Sequence, residues 1–159
     1  MLFRSIIIYN KYPESPRWLE SQGRVEEADA IIAALKGKNP SRGVYIDIES
    51  TVVYNAKFGS IYNSTARRTI TDVTKKVCQR LKDAGYSVGV YASESYFNSV
   101  LYTDELQGYM WVARYYSNTP NDQNTLDLNG KYPYKYWQYP SVGRVNGIST
   151  AVDMNTTVR

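Results

Sequence analysis

Two acidic residues, Asp47 and Glu49, are the pair best placed to do chemistry. They lie two positions apart at the end of the apolar segment Gly43–Glu49, which predicts a β-strand. Residues i and i+2 of a strand point to the same face, with Cα atoms about 6.6 Å apart. Their carboxyl groups can therefore reach the separations of glycosidases, about 5–5.5 Å for retention or about 6.5–9.5 Å for inversion.

The crowding of these two acids has a chemical consequence. Close carboxyl groups push their pKa values apart, so that one stays protonated while the other is ionised. A bare Asp-x-Glu is common, however, and an idle, solvated strand end is an alternative. A second alternative is a divalent-metal hydrolase that uses Asp47, Glu49 and Asp153, with Asp72 as a further acid, because carboxylates suit Mg²⁺ or Ca²⁺.

The composition excludes several other kinds of site. The chain has no histidine, which removes Ser-His-Asp and Cys-His catalysis and histidine-bound metals. Cys78 is the single cysteine, so an intrachain disulfide and a cysteine cluster are excluded. The net charge of +4 comes without a dense basic block, which argues against nucleic acid as a partner. No apolar run approaches the ~20 residues of a membrane span.

The order of elements predicts an α/β fold in one domain of 159 residues. Periodicity predicts helices over residues 15–37, 71–85 and 96–101, and a long loop over residues 51–69. Short apolar runs predict strands over residues 6–9, 43–49, 87–92, 109–115, 136–139 and 151–154.

Aromatic residues near the ends of these strands are candidates for sugar binding. The chain has 16 tyrosines and only 3 phenylalanines, and a tyrosine ring offers both an apolar face and a polar tip. In a parallel barrel the carboxyl ends of the strands form the active face. We therefore expect rings there to stack on sugars, with packing in the core as the alternative: Tyr91, Trp111, Tyr115, Trp137 and Tyr139.

Several segments resemble, in the same order, motifs of glycoside hydrolase family 25, the lysozyme family of the Chalaropsis and phage-lysin type. Val44–Glu49 resembles its fourth strand, and Ala84–Ala92 resembles the next turn and strand. Trp111–Tyr115 is similar to the sixth strand, and Tyr136–Tyr139 with Val152–Asn155 to the closing strands. The ordered set covers about residues 43–155.

This resemblance implies an irregular TIM-like (β/α) barrel and a β-1,4-N-acetylmuramidase that hydrolyses peptidoglycan without metal or cofactor. Glu49 would be the general acid. Asp47 would stabilise the positive charge at the anomeric carbon, either directly or by orienting the substrate's acetamido group. Asp153 would shape the site, and Tyr91, Trp111 and Trp137 would line the groove.

The first 42 residues are atypical for the family. Two opening βα units have no counterpart, so residues 43–155 form the family-like core of a barrel shortened at its N-terminus. An inactive or vestigial glycan-binding relative is therefore the alternative function, and an open barrel could be completed by a second copy of the chain. The start of the sequence, Met1–Ile8, is too short for a secretory signal, which suggests a phage-released or processed extracellular protein.

Overall fold

The computed structural model describes residues 6–8, 29, 32–33, 35–38, 40–49, 58–106, 108–115, 134–139 and 142–157. These residues contain one six-stranded sheet in which the strands follow chain order. Neighbouring strands from β1 to β5 are parallel, and β6 is antiparallel to β5. The strands are β1 (Ile6–Ile8), β2 (Val44–Asp47), β3 (Val88–Ser93), β4 (Tyr109–Ala113), β5 (Tyr134–Gln138) and β6 (Asn155–Thr157).

The predicted α/β class is confirmed as a mixed sheet with helices. Strands β1 and β6 lie at the two edges, and they do not pair with each other in the described parts of the chain. The sheet is therefore open there. Because parallel strands share a direction, the carboxyl ends of β2 to β5 lie along one edge of the sheet.

The longest helix, α1 (Ser64–Asp83), connects β2 to β3. The Asn63 side chain accepts a hydrogen bond from the Ala66 N–H at 2.7 Å and caps the first turn. The predicted start at Thr71 was wrong, and so was the predicted loop over residues 64–69, because this cap sets the helix start at Ser64. Residues on one face of α1 recur at helical spacing and are buried: Ala66, Ile70, Val73, Val77 and Leu81.

Gly85 ends α1, as predicted. It has a φ of 89°, which favours glycine. The Gly85 N–H donates to the Lys82 carbonyl at 2.9 Å, and the Tyr86 N–H donates to the Leu81 carbonyl at 3.0 Å. This is the Schellman pattern, and it turns the chain directly into β3.

The remaining elements are short. Helix α2 (Glu94–Ser99) follows β3 and is capped by Ser93, and a 3₁₀ helix spans Thr103–Glu105. The last strand was predicted over residues 151–154, but there Val152 forms only an isolated bridge with Gly143, and β6 begins at Asn155. Most of the helix predicted over residues 15–37 lies outside the described residues, of which 29 and 32–33 are helical.

The two faces of the sheet bury different side chains. Residues of α1 pack with one face, where the strand side chains are mainly aliphatic: Val44, Ile46, Val88, Val90, Met110 and Val112. The other face carries a separate cluster of Tyr45, Tyr91, Trp111, Ala113 and Tyr136. We call these the helix face and the ring face. In the described residues, no helix has the length and apolar character needed to cross a membrane.

Candidate active site

The predicted acid pair lies at the carboxyl end of β2. Asp47 is the last residue of the strand, is 5% exposed, and shares the ring face with Tyr45. The Ile48 N–H donates to the Tyr91 carbonyl at 2.9 Å, which extends the pairing with β3 by one step. The Tyr96 hydroxyl donates to the Glu49 carbonyl at 3.2 Å. These two bonds fix the backbone from which the exposed Glu49 side chain leaves the sheet.

The Asp47 and Glu49 side chains act on each other, and hydrogen bonding by Asp47 lowers the pKa of Glu49. Partial burial of the Glu49 carboxyl raises its pKa, and the negative charge of Asp153 raises it further, while the bond to Asp47 acts in the opposite direction. The net shift is upward. Asp47, Glu49 and Asp153 therefore act on one another, and burial together with the Asp153 charge shifts Glu49 toward the protonated form that a general acid needs.

Tyr91 links this pair to the ring face. It is the register partner of Asp47 on one side and of Trp111 on the other. Its ring meets the Trp111 ring edge-on, with centroids 5.5 Å apart. Burial raises the pKa of the Tyr91 hydroxyl, and the negative charge of Glu49 adds to the effect, so this hydroxyl stays neutral at physiological pH.

Gln138 is a site residue that the sequence reasoning missed. Its side-chain oxygen accepts hydrogen bonds from the Tyr91 hydroxyl and, at 3.1 Å, from the Tyr115 hydroxyl. Strand alternation within Tyr136–Tyr139 was the available signal, because it places Gln138 on the same face as Tyr136.

The other predicted aromatic residues divide between the two faces. Trp111 lies on the ring face and its indole N–H donates to the Asn155 side chain at 2.9 Å. Trp137 and Tyr139 belong to the helix-face core, with ring centroids 5.5 Å apart. The indole N–H of Trp137 donates to the Arg114 carbonyl at 2.9 Å. The structure therefore does not bring these two rings to the acid pair, and their contact with sugar stays a prediction.

Metal binding was the chemical alternative for the same acids. In the described ranges, no three histidine, cysteine, aspartate or glutamate side chains are grouped so that they could hold a metal ion.

Comparison of the sequence with known families identifies the chain's relatives. The family model of glycosyl hydrolases family 25 matches residues 16–148, which is more than half of the chain. The chain belongs to this family. The family 25 match begins well before residue 43, so it also covers part of the segment that seemed atypical in the sequence.

A curated relative matches part of the chain. The uncharacterized protein YegX of Escherichia coli O157:H7 is 33% identical over 89 residues, which are 53% of this chain and 30% of YegX. The chain thus spans less than a third of that relative's length.

Two solved structures share the fold. The family 25 glycosyl hydrolase of Bacillus anthracis is 16% identical with a TM-score of 0.59, covering 95% of this chain and 74% of its own. The bacterial lysozyme of Streptomyces coelicolor is 18% identical with a TM-score of 0.58, covering 96% and 78%.

Proposed function

We propose that this chain is a peptidoglycan hydrolase of the β-1,4-N-acetylmuramidase type, with Glu49 as the general acid and Asp47 as its partner. The observation that carries the proposal is the placement of Asp47 and Glu49 at the carboxyl end of β2 in a family 25 chain, where burial raises the pKa of Glu49. The substrate class is supported by the similarity to a protein described as a bacterial lysozyme. Such an enzyme acts at the cell wall.

Glu49 supplies the proton in this mechanism. The bond between the anomeric carbon and the glycosidic oxygen breaks as the Glu49 proton passes to that oxygen, which becomes a hydroxyl of the leaving sugar. The raised pKa of Glu49 favours retention of this proton before the reaction. The charge left on the anomeric carbon then requires a nucleophile on the opposite side of the sugar ring.

The closeness of the two carboxyl groups favours one of the two roles open to Asp47. A direct nucleophile would need a separation of about 5–5.5 Å and an inverting pair about 6.5–9.5 Å, whereas the Asp47 side chain acts directly on the Glu49 carboxyl. This arrangement suits an Asp47 that orients the acetamido group of the substrate. The acetamido oxygen then attacks the anomeric carbon, and water opens the resulting ring and returns a proton to Glu49.

The aromatic rings near the acid pair differ in exposure and therefore in their expected roles. Tyr115 is 55% exposed, so its ring is available to a sugar, whereas Tyr91 and Trp111 are at most 5% exposed. Tyr91 and Trp111 therefore support the floor of the site, and Asp153, which is exposed, forms part of its rim. The contacts of Trp137 and Tyr139 lie behind this floor, on the helix face.

Release of new reducing ends from purified peptidoglycan tests the proposal. Glu49→Gln keeps the size of the side chain but removes the acid, so we expect release to fall by about 10³-fold. Glu105→Gln is the matched control, since Glu105 pairs with Arg68 and Lys75 away from the site. Equal release by the parent chain and Glu49→Gln, with both folded, would contradict the assignment.

The open sheet favours one second candidate, a glycan-binding relative that does not cleave. Strands β1 and β6 are unpaired with each other in the described structure, and a closed barrel is what we expect of a complete family 25 site. A sedimentation assay with insoluble peptidoglycan distinguishes the two functions. Binding by the parent chain without any release of reducing ends would support the second.

A further inference from the structure

Gln138 joins two hydroxyl groups beside the carboxyl pair. Its side chain is 5% exposed, and its oxygen accepts from both Tyr91 and Tyr115. Its backbone is held on both sides of β5: its carbonyl accepts from the Arg114 N–H at 3.0 Å, and it pairs with Asn155 of β6. The position of this amide is thus set by the sheet.

The side chains of Tyr91 and Gln138 are hydrogen-bonded although their strands are not neighbours. Tyr91 belongs to β3 and Gln138 to β5, and β4 lies between them. The β4 residue next to Gln138 in register is Ala113, whose methyl group is small enough to leave room for the contact. Edge-on packing against Trp111 fixes the direction of the Tyr91 ring.

The direction of this hydrogen bond has an electrostatic consequence. A phenol has one proton, and the proton of Tyr91 is donated to Gln138. Toward other neighbours the Tyr91 oxygen presents its lone pairs. These lone pairs repel an ionised carboxylate but can accept a hydrogen bond from a protonated carboxyl group. Asp47 is the register partner of Tyr91, and the charges of Glu49 and Asp47 both act on the Tyr91 hydroxyl.

Among the residues that the structure describes, the groups that face this cluster come from four segments. The end of β2 and the residues just after it supply Asp47 and Glu49, and the residues just after β4 supply Tyr115. The segment before β6 supplies Asp153, whose charge acts on Glu49. Helix α2 supplies Tyr96, whose proton is donated to the Glu49 carbonyl rather than to a carboxylate.

Building on the proposed function, we propose that Gln138 is a positioning residue, which holds the Tyr91 proton away from the carboxyl pair so that Glu49 remains the proton donor. Without Gln138, the freed Tyr91 hydroxyl turns and donates to the Glu49 carboxylate. A hydrogen bond to the charged form stabilises that form, and Glu49 then loses its proton at lower pH.

A titration of the Glu49 carboxyl by ¹³C NMR tests this without any need for turnover. The Glu49 signal is assigned as the one lost in Glu49→Gln. In Gln138→Met, which keeps the length of the side chain but removes the amide oxygen, we expect the Glu49 midpoint to fall by about half to one pH unit. An unchanged midpoint in a folded Gln138→Met protein would overturn the proposal.

Two further variants show whether the effect passes through Tyr91. Adding Tyr91→Phe to Gln138→Met removes the freed hydroxyl, so the midpoint should return toward its value in Tyr91→Phe alone. A shift that persists in the double variant would overturn the proposal. Tyr109→Phe is the control, because it removes an exposed hydroxyl at the opposite end of β4 and should leave the Glu49 midpoint in place.

A second substitution covers a failure of Gln138→Met to fold. Gln138→Asn keeps an amide but is one methylene shorter, and the same fall of the midpoint is expected. In an active enzyme, the alkaline limb of kcat/KM should move with the midpoint, whereas a purely structural role lowers kcat/KM equally at every pH. If Gln138→Met shifts the Glu49 midpoint but the parent chain cleaves no peptidoglycan, the proposed function fails while the effect of Gln138 on Glu49 stands.

Discussion

The helix face and the ring face are built from alternate residues of the same strands, yet they serve different purposes. On β2, Val44 and Ile46 join the aliphatic core with α1, while Tyr45 and Asp47 lie on the ring face. The ring face is packed edge-on, with Tyr45 and Trp111 centroids 5.4 Å apart. One position along a strand therefore separates residues that hold the fold together from residues that lead to the site.

Asp47→Asn should reduce cleavage nearly as much as Glu49→Gln. The variant keeps the size of the side chain but removes the charge that orients the substrate and stabilises the developing cation, so we expect release of reducing ends to fall by about 10² to 10³-fold. Asp104→Asn, which changes an exposed acid of the 3₁₀ helix, is the control and should match the parent chain. Normal release by Asp47→Asn would contradict the role of the ring face.

Trp137→Ala should show the largest effect on stability. Trp137 is 1% exposed in the helix-face core, and truncation of a buried tryptophan costs about 3–5 kcal/mol. Urea denaturation measures this loss. Cleavage kinetics of the folded fraction then test the predicted sugar contact, because a ring behind the floor leaves KM unchanged. A raised KM with little loss of stability would place Trp137 in the groove instead.

Gly89→Ala should disturb the ring face itself. A Cβ at Gly89 would collide with the Tyr45 ring and with the Tyr109 carbonyl. Overpacking of this kind costs about 1–3 kcal/mol, and the displaced ring would press on Trp111. We expect a lower free energy of unfolding together with weaker cleavage. A variant as stable as the parent chain would mean that this face is loosely packed.

Glu49→Gln should have the smallest effect on stability. The change of this effect with pH tests whether the pKa of Glu49 is raised. The folded protein holds the Glu49 proton more tightly than the unfolded chain does. In the unfolded chain the pKa of Glu49 is near 4.5. Stability therefore falls as the pH rises from about 4.5 through the raised pKa of Glu49. The variant lacks this loss, so its melting temperature relative to the parent should increase over that interval. A constant difference would contradict the raised pKa.

The sequence could reveal the family and most of the described strands, and it could single out Asp47 and Glu49 as candidates, because each depends on short motifs or apolar runs. Asp47 and Glu49 end an apolar run, and Gly85 stops a periodic helix. The start of α1 was missed because the capping residue, Asn63, lies among polar residues that look like loop. The last strand was misplaced because a two-residue bridge and a strand have similar patterns.

The arrangement of side chains on the ring face could not be predicted from local sequence patterns. Trp137 and Gln138 are adjacent, and alternation shows that they point to opposite faces, but not which face meets α1. That choice depends on the register between β4 and β5, where Ala113 aligns with Gln138. Gln138 was therefore passed over although its neighbours in the motif were selected. The contact between Tyr91 and Gln138 joins residues 47 positions apart, and no local pattern shows it.

The chemical identity of the new reducing end tests the central claim most directly. Peptidoglycan digested by the parent chain and by Glu49→Gln is reduced with borohydride, and the soluble fragments are analysed by tandem mass spectrometry. We predict the alcohol of N-acetylmuramic acid in the parent digest and almost none in the Glu49→Gln digest. The alcohol of N-acetylglucosamine, or equal amounts of either product in both digests, would contradict a muramidase that depends on Glu49.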